Sequence, residues 1–268
     1  MVASLFFGTL CGLALGLTGG GGSILAVPLL VYGLKIPFHQ AVTISLLVVG
    51  LTAVIGFFPK IKSGEVELSA GVTLAIAGML FAPVGSYISS YFKGHSLMLA
   101  FSGLMIFIGI WSLVKAKFFV KKALKTGSCN YLPNGKLHLT IQCRAVLITV
   151  GIITGLLTGL FGVGGGFLIV PALVLATNMA LKKAISTSLL IISLVSLVGF
   201  ISHINHSQIE VAIALFFMVG SAVGVVLASQ IKGLLNDKAL QMIFSLVLIM
   251  LGIIILALQY LNSINKIF

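Results

Sequence analysis

Charged residues cut the chain into eight charge-free stretches, at 1–34, 36–59, 68–92, 96–114, 145–181, 184–202, 211–231 and 239–265. A bilayer-spanning helix needs about 20 consecutive apolar residues, and nearly every stretch meets that length. Membrane barrel strands alternate with period two, and these runs do not alternate. Lipid-exposed backbone must otherwise be helical, so the pattern predicts an all-α polytopic membrane protein. The first and fifth stretches are much longer than the rest, and each carries a glycine cluster in its middle. A broken helix is therefore expected in each.

The pattern also repeats. Sliding the chain by 143 residues aligns its two halves without a gap over about a hundred residues, as internal duplication requires. GLALGLTGGGGSILAVP (12–28) falls on GLLTGLFGVGGGFLIVP (155–171), and AVTISLL (41–47) falls on AISTSLL (184–190). Gly56-Phe57 falls on Gly199-Phe200, Glu67 on Glu210 and Gly109 on Gly252. The expected organisation is a first membrane repeat at 1–114, a basic linker at 115–144 and a second repeat at 145–268. In each repeat a glycine-broken helix precedes three transmembrane helices.

Two arrangements fit this pattern. If each broken stretch crosses the membrane, the repeats are parallel. If each re-enters as a hairpin of two half-helices, a half has three crossings and the repeats are inverted. Length fits both, but charge discriminates. The 16 Lys and Arg divide 10 to 6 across the membrane in the parallel arrangement and 13 to 3 in the inverted one. The positive-inside rule favours the second, with the basic linker in the cytoplasm and both termini outside.

Composition agrees with a membrane location. Hydrophobic residues make up 59% and charged residues 7%, with a mean hydropathy of +1.25. Soluble domains carry about 25% charge, which excludes a cytosolic enzyme, a secreted domain and a disordered chain. The net charge of +12 suits cytoplasmic loops better than nucleic-acid binding. The N-terminus lacks a basic n-region and an A-x-A site, so it is expected to be structure and not a signal peptide. Three cysteines, Cys11, Cys129 and Cys143, suggest no disulfide framework.

The glycine clusters are the first candidates for chemistry: Gly19, Gly20, Gly21 and Gly22, and Gly162, Gly164, Gly165 and Gly166. A helix broken in hydrocarbon must line a cavity or be covered by protein. Transporters place such breaks where half-helix N-termini face an anionic substrate. The alternative is tight helix packing, which is the reading for the ladders Gly8/Gly12/Gly16 and Gly151/Gly155/Gly159. Hydroxyls form the second constellation: Ser23, Thr43, Ser45, Ser186, Thr187 and Ser188. They could donate to an oxyanion or bond to helix carbonyls. Ser45 and Ser188 are favoured because they are equivalent.

The acids are Glu65, Glu67, Glu210 and Asp237, all near expected loop ends. That argues against a carboxylate proton relay within the membrane. The sequence has neither a P-loop nor H-E-x-x-H. His203 and His206 could titrate, a solvated loop being the commoner setting. The spacing of Cys129, His138 and Cys143 matches no standard metal site.

The motifs G-x-x-G-G-G-G-S-I-L-A-V-P (16–28) and G-L-F-G-V-G-G-G-F-L-I-V-P (159–171), with A-x-x-x-S-L-L at Ala41 and Ala184, resemble the TauE/SafE sulfite-exporter family. The resemblance covers nearly the whole chain apart from the linker. It departs at Ile44, where the family's A-x-x-T-S-L has threonine. It implies a bacterial inner-membrane transporter that exports or exchanges a sulfur oxyanion or organosulfonate such as sulfite. The substrate-binding residues would be Gly19, Gly20, Gly21, Gly22, Ser23, Ser45, Gly162, Gly164, Gly165, Gly166, Thr187 and Ser188. The expected partners are a small anion, the lipid bilayer and a coupling proton or cation, with no cofactor, metal, catalytic residue or nucleic acid. An anion channel of the same architecture is the alternative. A thiol chemistry at Cys11 and a scaffold role explain less, since neither accounts for the doubled breaks.

Overall fold

The computed structural model describes residues 1–122, 129–131, 137–138, 140–177, 179–204, 210–231 and 237–264. Ten α-helices lie among them. In the first half, α1 (Val2–Thr18) and α2 (Gly21–Pro28, continued by a π-helical turn at Leu29–Gly33) are followed by α3 (Phe38–Lys62), α4 (Leu68–Tyr91) and α5 (Gly94–Lys122). In the second, α6 (Ile141–Phe161) and α7 (Gly166–Thr177) are followed by α8 (Leu181–His203), α9 (Val211–Ile231) and α10 (Asp237–Ile264). Six of these helices are long and apolar enough to cross a membrane: α3, α4, α5, α6, α8 and α9. The 143-residue offset carries the starts of α3, α4 and α5 onto the starts of α8, α9 and α10.

Proline marks the starts and interruptions. Pro37 precedes α3, where its fixed φ suits a helix entry. Pro28 ends α2, where its nitrogen has no proton to donate to the Ile24 carbonyl, and the π turn follows it. Thr140 caps α6 by accepting a hydrogen bond from the Cys143 amide at 3.2 Å.

Between the halves, a two-residue antiparallel pair joins Asn130–Tyr131 to Leu137–His138. Cys129 and Cys143 form a disulfide, where the sequence suggested no disulfide framework. Sequence spacing alone does not show which cysteines a reversal brings together. Cys11 remains free and buried. His203 also differs from the solvated setting: it is buried, with Nδ1 3.0 Å from the Gly199 carbonyl oxygen. His206 lies outside the described residues.

Glycines show which helices touch and in which direction they run. A Cβ added at Gly8, Gly12 or Gly16 of α1 would meet Phe217, Ser221 or Val225/Ala228 of α9. Both series ascend, so α1 and α9 run parallel. Equivalently, Gly151, Gly155 and Gly159 of α6 meet Leu74, Gly78 and Ala82 of α4. The packing ladders therefore bind the first helix of each half to a helix of the other, at backbone contact. On α3, Gly50 meets Ser196 and Leu197, and Gly56 meets Leu189, so α3 and α8 run antiparallel. Gly109 of α5 meets Ser245 and Ile249, and Gly252 of α10 meets Ser102 and Ile106, which is again antiparallel. Equivalent helices of the two halves thus point in opposite directions.

Ion pairs agree with these directions. Lys182 and Lys183 at the start of α8 reach Glu65 (2.5 Å) and Glu67 (2.6 Å) in the α3–α4 connection. The two segments share one end of the bundle.

Candidate functional site

Each glycine cluster ends one helix and starts another. Gly19 (φ 74°) closes α1 and Gly162 (φ 71°) closes α6. Their N–H groups donate to Leu15 (2.8 Å) and Thr158 (2.9 Å). A left-handed residue in this position is the common glycine end of a helix. The chain then folds back. Gly22 lies against Cys11 and Leu15, and Gly33 against the Phe7 ring. Gly165 lies against Thr154 and Thr158, and the Ala176 carbonyl accepts from the Cys129 amide at 3.2 Å, near the start of α6. Both broken elements are therefore helical hairpins.

The hairpins meet tip to tip. A Cβ on Gly20 would lie 2.2 Å from the Gly166 carbonyl carbon, and one on Gly166 would lie 2.5 Å from Gly20 Cα. The tips are enclosed by α3 and α8: Gly19 faces Ile185 and Ser188, Gly162 faces Val42, and Gly164 faces Val49, Ile192 and Ser196. Residues 19–28 are all buried.

The serines form a crossed pair. Ser45 Oγ donates to the Gly162 carbonyl at 2.8 Å, and Ser188 Oγ donates to the Gly19 carbonyl at 2.5 Å. Each half thereby holds the other half's helix end. A hydroxyl carries one proton; that of Ser45 goes to the second break, and that of Ser188 is shared between the first break and the Ile185 carbonyl at 2.8 Å. Ser23 is committed likewise, its Oγ donating to the Gly20 carbonyl at 2.6 Å. Gly21 donates its amide to Thr18 Oγ1 at 2.7 Å, and Cys11 Sγ donates to the Gly22 carbonyl at 3.1 Å.

Of the twelve expected residues, eleven gather at the paired breaks. Thr187 does not. Its hydroxyl accepts from the Glu67 amide at 2.9 Å and donates to the Lys183 carbonyl at 2.8 Å. It joins α8 to the start of α4, beside the Lys183–Glu67 pair.

Sequence reading missed Ser196 and Thr52. Both are fully buried, and neither side-chain oxygen has a hydrogen-bond partner. Ser196 Oγ would lie 3.0 Å from a Cβ at Gly164. A buried hydroxyl without a partner costs about 1–3 kcal/mol, and that of Ser196 lies beside the second helix break. The repeat hides this residue, because Ala53 is the equivalent of Ser196 and Val195 that of Thr52. Its only sequence signal is a hydroxyl two turns beyond Ser188.

Thr154, Thr158 and Ser196 lie at the second break, and Thr18, Ser23 and Ser188 at the first. Among the described residues no group of His, Cys, Asp and Glu could hold a metal ion. At the start of α2 the Gly21 and Ser23 amides are already taken, by Thr18 Oγ1 at 2.7 Å and the Gly20 carbonyl at 3.3 Å, while α7 starts at a buried Gly166 close to the second break's hydroxyls.

Comparison with known proteins points to a membrane transporter. The family described as "Sulfite exporter TauE/SafE" matches residues 4–255. A "Probable membrane transporter protein" of Xylella fastidiosa is 34% identical over 263 residues, covering 96% of this chain and 95% of the relative. The Bacillus subtilis "Probable membrane transporter protein YunE" is 31% identical over 260 residues, covering 94% and 95%. A similarly named protein of Methanocaldococcus jannaschii is 26% identical over 266 residues, covering 94% of each chain. No solved structure matches the chain. With doubled glycine hairpins, six helices long enough to span a bilayer and a family match over nearly its whole length, the chain belongs to the TauE/SafE family of multi-pass membrane transporters.

Proposed function

We propose that this protein is a secondary transporter in the inner membrane that exports or exchanges a small anion, a sulfur oxyanion or organosulfonate such as sulfite. The observation that carries the reading is the contact of Gly20 with Gly166. Two glycine hairpins meet in a buried centre, with the start of α7 and the Ser196 hydroxyl beside them. The repeats at 1–114 and 145–268 are inverted, and the hairpins enter from opposite faces. Opposed equivalent helices and the shared end of Glu65 and Lys182 support this. The linker at 115–144 faces the cytoplasm by its charge.

In the mechanism, the anion sits at the start of α7 by Gly166, where the helix dipole favours negative charge. Gly19 to Gly22 and Gly162 to Gly166 supply the backbone, Ser45 and Ser188 hold it in shape, and Ser196 donates to the anion. Alternating access then separates one hairpin from its covering helices at a time. A proton or cation gradient drives the cycle.

Counterflow in proteoliposomes tests this reading. Vesicles are loaded with sulfite, thiosulfate, a small sulfonate or sulfate, with and without an imposed pH gradient. Saturable counterflow of one anion is the expected result. Flux without counterflow would make the protein a channel, and no flux of any of the four from folded protein would overturn the substrate class.

A further inference from the structure

A cavity of about 340 Å³ opens on the second hairpin, between α5, α6 and α7. Trp111, Val146, Val150, Leu168, Pro171 and Leu175 are among its lining residues. Small-molecule pockets run from about 300 to 1,000 Å³, so this one holds a chain of several methylenes. The lining is apolar. Its one hydroxyl, Thr154, is already bonded to the Val150 and Gly151 carbonyls at 2.9 and 3.1 Å. Trp111 and Leu175 are 38% and 41% exposed on the outer face of the bundle, the side that meets lipid.

The equivalent surface of the first half is built differently. Under the 143-residue offset, Val150, Ala172 and Leu175 correspond to Phe7, Leu29 and Tyr32. The Phe7 ring packs on Gly33, and Tyr32 Oη accepts from Gln259 Nε2 at 3.4 Å. Larger side chains fill the space there. The second half has lost volume at three positions on the same surface.

Charge at the mouth identifies the occupant. Arg144 is exposed two residues before Val146 on α6. The first half has Met1 where the second has Arg144. An apolar slot with a basic mouth fits a lipid whose head is anionic. We infer that this cavity binds one acyl chain of an anionic phospholipid, with its phosphate at Arg144. The bound chain lies against α7 and reaches Thr154, which touches Gly165 of the break. Lipid and glycine hairpin are thus in mechanical contact. The inference rests on the membrane location and not on the identity of the transported anion.

Trp111 is the sole tryptophan, so its fluorescence reports the cavity directly. The full chain is reconstituted with phosphatidylglycerol or phosphatidylcholine carrying brominated acyl chains, and quenching is titrated against mole fraction. Brominated phosphatidylglycerol is expected to quench at about fivefold lower mole fraction, the worth of one basic side chain at an anionic lipid surface. Val150→Phe and Ala172→Leu fill the slot with residues of the size that the first half accommodates, and should abolish the strong component. Arg144→Gln should leave quenching but erase the preference. Equal quenching by the two lipids would overturn the proposal. So would strong quenching that survives both filling variants in protein with unchanged thermal unfolding, because Trp111 would then meet only bulk lipid. The readout is independent of transport, so a failure here leaves the reading of the central site standing.

Discussion

Gly20 of the first hairpin and Gly166 of the second touch backbone to backbone, with no room for a Cβ on either. Gly20→Ala would place a methyl 2.2 Å from a carbonyl carbon that cannot move without displacing α7. Counterflow is expected to fall to background, and thermal unfolding in detergent to drop by several degrees. Gly103 on α5 has nothing within 4 Å of an added Cβ. Gly103→Ala should therefore leave transport unchanged and stabilise the helix by up to about 1 kcal/mol. Equal effects at the two positions would show that the contact has no special role.

Serine substitutions should separate two roles. Ser45→Ala and Ser188→Ala each remove the donor to a buried glycine carbonyl, at a cost of about 1–3 kcal/mol. Unfolding in both variants should shift downward by similar amounts. Ser196→Ala removes an oxygen that has no partner, so stability should hold or rise slightly while the apparent KM for the anion increases. A stable Ser196→Ala protein with unaltered KM would take Ser196 out of the site.

Burial ranks the two ion pairs. The side chains of Lys183 and Glu67 are 28% and 12% exposed, against 69% and 27% for Lys182 and Glu65. An exposed pair contributes about 0–1 kcal/mol. A hydrogen bond to a charged group in a less exposed site contributes about 1.5–3 kcal/mol. Lys183→Ala should accordingly lower stability clearly more than Lys182→Ala, with thermal melts of both proteins as the check. The exchange Glu67→Lys with Lys183→Glu should recover part of the loss.

Thiol counting tests both the linker and its compartment. In folded, oxidised protein no cysteine should react with an alkylating reagent, since Cys11 is buried and the other two are joined. Unfolding without reduction should expose one thiol, and reduction three. Disulfides are rare in a reducing cytosol, so alkylation of intact cells before lysis should trap Cys129 and Cys143 as thiols. A bond already present in the cell would reverse the proposed orientation. Breaking it in purified protein should cost about 3 kcal/mol for a loop of this size.

Much of this architecture is legible in the residues. The apolar stretches and the offset between GLALGLTGGGG and GLLTGLFGVGG locate the helices, and the offset places the starts of α8, α9 and α10. Lys60 and Lys62 correspond to His203 and Asn205, while Lys35 corresponds to Asn178 beside the Lys182–Lys183 pair, the opposite bias that the positive-inside rule expects of the proposed inverted halves. The partners are not legible. Ser45 and Gly162 are 117 residues apart, and Ser188 and Gly19 are 169 apart. Periodicity reports the face a residue presents and not the carbonyl it meets. Ser196 escapes for a related reason: attention to duplicated positions passes over a hydroxyl whose twin is alanine. Thr187 is the converse case. It stands in the motif beside Ser188, yet one residue along a helix turns a side chain by about 100°, enough to send its hydroxyl to α4.

The ladder of Gly8, Gly12 and Gly16 also governs how the chain is made. Its partner α9 begins at Val211, so α1 leaves the ribosome with an empty seam that stays unfilled until most of the polypeptide has been synthesised. α4 waits similarly for α6. At about 5–20 residues per second, the unmatched seam persists for some tens of seconds in the membrane. The first half cannot complete its fold in isolation, and chaperone or insertase residence should lengthen at that stage. Two separately expressed halves should accumulate only when produced together.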